Sequence, residues 1–207
     1  MSLETKVLST INEEFDRGLT VISSSNTWLI KRKRKTVDYF YSCVSNVLVG
    51  NPLLSPVFKV KGSLGVVIHV PSLVAVVGDA EVRVNERSCG TWRAIPVRAG
   101  WHVHVTARNG SAYMAVYGLE GRPSRVVNGA LFSMKPLYNI DADISARYVP
   151  PSLVAECATS KDNVGTHLLS RILQHIKLAC EMARSGARLV RVKVGGLVYD
   201  VWVKEVE

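Results

Sequence analysis

At 207 residues, 47% apolar and 21% charged, the chain has the composition of an ordinary globular protein, with room for one domain or two small ones. No apolar run approaches the ~20 residues of a membrane span; the best candidate, residues 66–77, is broken by His69, Pro71 and Ser72. The formal charge is +9, of which Lys31-Arg32-Lys33-Arg34-Lys35 supplies five, so the basicity is mostly local. That run can mark a nucleic-acid patch, but no aromatic residue is interleaved with it to stack bases. It reads as an exposed, solvated loop, and nucleic acid is not the expected partner. The start, from Met1 to Lys6, has no basic segment followed by an apolar one, so no secretory signal is expected. The four cysteines (Cys43, Cys89, Cys157, Cys180) contain no C-x-x-C pair. This argues against zinc and against a disulfide framework, and for reduced, mostly buried thiols in the cytoplasm.

In chain order, the first predicted element is a helix over residues 36–49. Val37, Phe40, Tyr41, Val44, Val47 and Leu48 recur at three- and four-residue steps, and Gly50-Asn51-Pro52 stops it. From Val57 the texture changes to short β-rich runs. These are 57–60, 66–70, 73–77, 80–84, 94–97, 102–107 and 112–117, with Gly62-Ser-Leu-Gly65 read as a turn and Asn109-Gly110 as a hairpin turn. Ala99-Gly100 is expected in a tight turn between strands. Many short strands at regular spacing predict a barrel or sandwich. Residues 118–152, punctuated by Gly118, Gly121, Pro123, Gly129, Pro136, Pro150 and Pro151, read as a long connection with room for short strands. A strand is predicted over 154–158. A helix follows over 165–185, with Ile172, Ile176, Ala179, Cys180 and Ala183 on one face and Gly186 closing it. A hairpin of 188–194 with 197–203 turns at Gly195-Gly196.

The middle third carries a specific pattern. Leu48-Val49-Gly50-Asn51-Pro52 is followed by Gly78-Asp79-Ala80, Val84-Asn85-Glu86, Thr91-Trp92-Arg93 with Val97-Arg98-Ala99-Gly100, and Gly110 to Gly118 around Ala112-Tyr113. In order and spacing this resembles the allophanate hydrolase subunit 2 family, which includes the carboxyltransferase domain of urea amidolyase and the corresponding subunit of bacterial 5-oxoprolinase. The resemblance implies a mainly β protein with a few helices, built on a cyclophilin-like β-barrel. The chain is then a single shortened carboxyltransferase-like unit over 1–207, and a division into 1–120 (barrel) and 121–207 (second lobe) stays open. Trp92 matches the family tryptophan and is expected to pack, buried, in the barrel.

The same resemblance implies a function. The chain would be a component of an amide-hydrolysing or carboxyl-transferring complex, acting on a small urea-derived or cyclic amide acid with a subunit-1 partner, and with ATP as the implied cofactor. Its class would be a hydrolase of non-peptide C–N bonds or a carboxyltransferase component. Other family signatures are altered. Where the family carries Thr-Val-Gln-Asp, this chain has Thr20-Val21-Ile22-Ser23, and its glycine-rich loop has become the basic run. Asp38 stands where the family has an Asp at a helix start, where a carboxylate also serves as a cap. Downstream, Ser160-Lys161-Asp162-Asn163-Val164-Gly165 stands at a Ser-Asp-Arg-Met-Gly signature, with Asn163 replacing the Arg fork. A final Gly-Gly-Tyr-Pro segment has no counterpart.

If a site survives, it is expected where these positions converge. Asp38, Lys161 and Asp162 are the catalytic candidates, with Lys161 offsetting negative charge and Asp162 orienting a polar substrate. Asn51, Ser160 and Asn163 are the substrate-binding candidates. Cap and turn roles explain the same residues equally well. The alternative function is therefore a non-catalytic binding or scaffold relative that keeps the barrel and has lost the site. The five histidines show no metal-ligand spacing beyond His102 and His104, which share a strand face without a visible third ligand, and no metal is expected. His167 and His175 read as surface residues of the last helix.

Overall fold

The computed structural model describes residues 18–31, 36–137, 143–159 and 166–204. In chain order the elements are β1 (Leu19–Ile30), α1 (Val37–Val49), β2 (Val57–Ile68), β3 (Ser72–Val77), β4 (Ala80–Val84), β5 (Arg87–Cys89), β6 (Ala94–Val97), β7 (Trp101–Ala107), β8 (Ala112–Val116), β9 (Ser124–Arg125) and β10 (Leu131–Phe132). A 3-10 turn (Ile144–Ala146), α2 (Pro151–Thr159), α3 (Thr166–Arg184), β11 (Arg188–Val194) and β12 (Leu197–Val203) complete them. β1 to β10 form a nearly closed antiparallel barrel, and β11–β12 are a separate hairpin. The mainly β, barrel-type fold expected from the sequence is the one observed.

β2 organises the barrel. One edge pairs with β1 along its whole length, from Leu19 against Ile68 to Ile30 against Val57. The other edge takes β7 at Ser63–Ile68 and then β8 at Phe58–Val60. β7 and β8 therefore follow one another along the same neighbour and do not pair, so Asn109-Gly110 is a loop between collinear strands and not a hairpin turn. Nor is Gly62–Gly65 a turn, because β2 runs through it. The glycines give room to their neighbours instead: a Cβ on Gly62 would lie 2.7 Å from the Ser25 carbonyl oxygen of β1, and one on Gly65 would meet the Ser23 and His104 side chains. β1 itself escaped the sequence reading. Its centre is polar, and two register shifts, between Val21 and Ser23 and between Ser25 and Thr27, interrupt the alternation that marks a strand.

Two apolar layers follow from the period-2 alternation of the strands. Val74 and Val76 of β3, and Ala112, Met114 and Val116 of β8, fill the barrel with Leu19, Phe58, Val66 and Val105. Leu73, Ala75 and Val77, and Tyr113 and Ala115, point outward beneath a helical layer made of Phe40, Val44, Leu48, Leu153, Leu169, Ile172 and Ile176. This explains why β3 reads as an unbroken apolar run: both its faces are covered. Residues 154–158, expected as a strand, belong to α2. Pro151 opens that helix with a pre-set φ, Val154 N–H donates to the Pro150 carbonyl at 3.0 Å, and Leu153 and Cys157, four apart, are its buried positions.

The predicted α1, α3 and terminal hairpin are present. Thr36 caps α1 through its side-chain oxygen, which accepts from Tyr39 N–H, and Gly50 ends it at φ 82°. The Gly100 turn between β6 and β7 also stands where expected, at φ 79°, with its N–H donating to the Ile68 carbonyl at 2.7 Å. The hairpin leaves Val190, Val192, Val194, Val201 and Val203 exposed.

α3 is tied to the 3-10 turn by an ion group centred on a buried carboxylate. Asp143 is fully buried, and its Oδ2 accepts from Arg184 at 2.7 Å. Arg147 closes on the same carboxylate at 3.3 Å through two nitrogens. Removing the carboxylate leaves the nearly buried Arg147 without its counter-charge, which costs about 3–5 kcal/mol. Asp143→Ala should lower the urea midpoint accordingly, and Asp143→Leu combined with Arg147→Met should recover most of it. An unchanged midpoint in Asp143→Ala would show that the ion group contributes nothing.

Candidate functional site

The strand register places four side chains in one row on the outer face. Arg125 of β9 stands opposite Trp28 of β1, Trp28 opposite Lys59 of β2, and Lys59 opposite Tyr113 of β8. α1 lies across the Tyr113 end of the row. There, Oδ1 of Asp38, in the first turn of α1, accepts from Lys59 Nζ at 2.7 Å and from the Tyr113 hydroxyl at 2.6 Å. Both partners of the ion pair are mostly buried, at 17% and 20% side-chain exposure, so their attraction is only weakly screened.

An aromatic wall stands beside this group. Tyr41 stacks on Tyr113 at 5.2 Å between ring centroids and 7° between planes, and meets Trp92 at 5.7 Å. Trp92 is buried, as expected, but in the helical layer and not in the barrel interior. Its backbone is held at φ 61°, an unusual conformation for a bulky residue. Two hydrogen bonds impose it: Trp92 N–H donates to Val76 carbonyl at 2.7 Å, and Trp92 carbonyl accepts from Val149 N–H at 2.8 Å. These groups border an open cleft of about 790 Å³ that also takes in Lys61, Asp79, Asn109 and Ser111. Asn109 donates to Asp79 at 2.6 Å on its rim.

The Tyr113 hydroxyl is held far above the usual phenol range, first by burial and then by its hydrogen bond to, and the charge of, Asp38. It is a neutral donor at any physiological pH. Burial raises the Tyr41 phenol in the same way. Burial also pushes the Cys157 and Cys180 thiols up to about 11, so these buried cysteines are not nucleophiles.

Of the six residues expected to converge, Asp38 and Asn51 lie within the described residues, and the structure does not bring them together. They stand at opposite ends of α1, roughly 20 Å apart at the helical rise. Asp38 is not the cap, a role Thr36 fills, and its carboxylate faces the cleft. Asn51 is buried and its amide is occupied by the fold: Nδ2 donates to Asn46 Oδ1 and to Val116 carbonyl, and Oδ1 accepts from Gly118 N–H. Ser160, Lys161, Asp162 and Asn163 lie outside the described residues. So do Arg32 to Lys35, whereas Lys31 is exposed. Among the described residues no group of three His, Cys, Asp or Glu could hold a metal. His167 is exposed, but His175, expected at the surface, is tucked edge-on against Tyr148 at 5.5 Å, and burial lowers its pKa.

Sequence reasoning missed Lys59, Lys61, Tyr113, Tyr41 and Trp28. The signal for the lysines was present in Val57-Phe58-Lys59-Val60-Lys61, where cations alternate with apolar residues and so share the face opposite the barrel core.

Solved structures share this architecture. The urea amidolyase of K. lactis superposes over 57% of this chain with TM-score 0.51 and 15% identity. The urea carboxylase of Kluyveromyces lactis does so over 65% with TM-score 0.53 and 14% identity, and TTHA0988 over 60% with TM-score 0.54 and 15% identity. This chain spans 9%, 16% and 32% of those chains, respectively. The likeness supports a distant, fold-level relation to these proteins, in line with the motifs of the middle third. No protein-family model matches the sequence, and no curated protein matches it. Among the described residues no helix is long and apolar enough to cross a membrane.

The Tyr113 shift has a signed consequence. In the unfolded chain the phenol ionises near pH 10, whereas the folded protein keeps the proton. The unfolded state therefore gains stability as pH rises above 10, so the stabilisation present below 10 is lost on the alkaline side. Tyr113→Phe should flatten that alkaline decline and cost about 1.5–3 kcal/mol at neutral pH, through loss of a hydrogen bond to a charged group. Urea unfolding at pH 7 and at pH above 10 reads both; identical alkaline slopes in the two proteins would refute the assignment.

Proposed function

We propose that the protein is a barrel subunit of an amide-hydrolysing or carboxyl-transferring complex, and that the Asp38 cleft binds its small polar substrate. The observation that carries this reading is the convergence of two donors, Lys59 Nζ and Tyr113 Oη, on Asp38 at the edge of an open cleft. Two donors aimed at one point are what a developing oxyanion or a substrate carboxylate requires, and a semi-buried ammonium is worth more there than in water. Asp38, relieved of one donor by an incoming carbonyl, is placed to accept a proton as general base. Lys61 and Asn109 give the cleft further polar groups for a urea-type or cyclic amide acid. The shared fold with urea amidolyase and urea carboxylase supports the same class.

ATP, implied by the family resemblance, would need a phosphate cradle, and no glycine-rich phosphate loop precedes α1 in the sequence. ATP is assigned in this reading to the subunit-1 partner. The second reading is the scaffold relative without a reaction. It is favoured by the exposed Ile22 at the position of the family Gln, and by the closure of Asp38 on two internal donors.

Calorimetric titration with 5-oxoproline, allophanate and urea, and ATP turnover after mixing with a candidate subunit-1 protein, separate the two. Lys59→Met should weaken binding of the cognate compound at least about tenfold, the loss of one charge-assisted contact. A stable complex with the partner that shows neither ligand binding nor turnover would establish the scaffold reading.

A further inference from the structure

We propose that the open half of the outer row, around Trp28, binds single-stranded nucleic acid. Residues directly opposed across antiparallel strands share a face. The register therefore sets Arg125, Trp28, Lys59 and Tyr113 as cation, aromatic, cation, aromatic across four neighbouring strands. α1 covers the Tyr113 end, and Asp38 neutralises Lys59 there. Among the described residues none covers the Trp28 end, which borders a second groove of about 430 Å³, lined by Trp28, Lys31, Lys59, Lys61, Pro123 and Arg125.

The groove has the two components that sequence-tolerant single-strand binding needs. One is a ring on which a base can stack: Trp28 is half-buried, so its position is fixed while part of its surface stays accessible. The other is positive charge along the path of the backbone. Lys31, Lys61 and Arg125 are exposed, and among the described residues no ion pair joins any of them to a carboxylate. Lys61 Nζ lies 6.0 Å from the Trp28 ring centroid, so the cation that would meet a phosphate also borders the stacking surface. The sequence places no aromatic residue within the basic run at 31–35. The fold supplies one from three residues earlier in β1 and surrounds it with cations from β2 and β9. A paired base cannot offer its face to Trp28, so the ligand is a single strand and not a duplex. Among the described residues Ser124 is the one neutral polar side chain lining the groove to read base edges, so the preference between sequences should be small.

Fluorescence anisotropy with an end-labelled oligouridine of roughly twelve nucleotides, at salt between about 50 and 200 mM, tests this. Binding should weaken as salt rises, and a duplex of the same length should bind less tightly. Trp28→Ala should weaken binding by about 5- to 150-fold, the loss of one base–aromatic stack, and Trp28→Phe should retain most of it. Lys61→Gln and Arg125→Gln should each reduce the log–log salt slope by about 0.7. Should Trp28→Ala fail to fold, these two exposed substitutions decide. Four results would overturn the proposal: no binding at the lowest salt, tighter binding of the duplex, uridine monophosphate binding as tightly as the oligomer, or loss of binding when Arg32 to Lys35 become Gln while Trp28→Ala and Arg125→Gln leave it unchanged. None of them bears on the small-molecule reading of the Asp38 cleft.

Discussion

The register between β1, β2 and β8 is the constraint on which both surface sites depend. Side chains alternate faces along a strand, so a slip of one residue would turn Lys59 and Lys61 into the barrel core and expose Phe58 and Val60. The apolar cost of that exchange fixes the register, and the register then lines up Trp28, Lys59 and Tyr113 without any direct selection for their contact. The two register shifts between β1 and β2 belong to the same device. The first places an extra residue on β1 and the second one on β2, so they cancel and Trp28, Leu29 and Ile30 return to the register in which Leu19 began.

The helical layer turns a sheet face into a cleft. α1 is pinned at both ends by different chemistry. At its start, Asp38 joins Lys59 and Tyr113. At its end, the amide pair of Asn46 and Asn51 bonds the Leu53, Ser55 and Val116 carbonyls and the Gly118 amide, and Gly50 makes room for the Arg147 guanidinium, which a Cβ there would meet at 2.8 Å. A helix held this way cannot slide along the barrel, so the aromatic wall of Tyr41 and Trp92 keeps a fixed distance from the polar group.

The parts of the fold legible in the sequence were those where local pattern and tertiary environment agree. Helix α1, with its apolar stripe and glycine stop, is one, and the β11–β12 hairpin around Gly195-Gly196 is another. The failures came where tertiary context overrode local texture. Ser23 to Asn26 carries no strand pattern and no element is predicted there, yet β1 crosses it because β2 offers an edge. Gly62 and Gly65 read as punctuation, yet serve close approach. Val154 to Ala158 reads as strand, yet Pro151 and the barrel surface make it a helix. The site was less legible than the fold for a related reason. Motif comparison directs attention to Asp38 and Asn51, which are close to one signature in sequence, whereas the polar group is assembled from residues 38, 59 and 113, and only strand register brings these together.

The double-edged position of β2 also orders events during synthesis. β1 can zip onto β2 once residue 68 has emerged, but the opposite edge stays unpaired until β7 and β8 are made, nearly fifty residues later. Until then the nascent chain presents a long, apolar strand edge, the kind of surface that recruits foreign strands. Because those contacts are distant in sequence, closure is slow compared with helix formation. The barrel is therefore most vulnerable to misassembly while its middle third is leaving the ribosome, before α3 exists to cover its outer face.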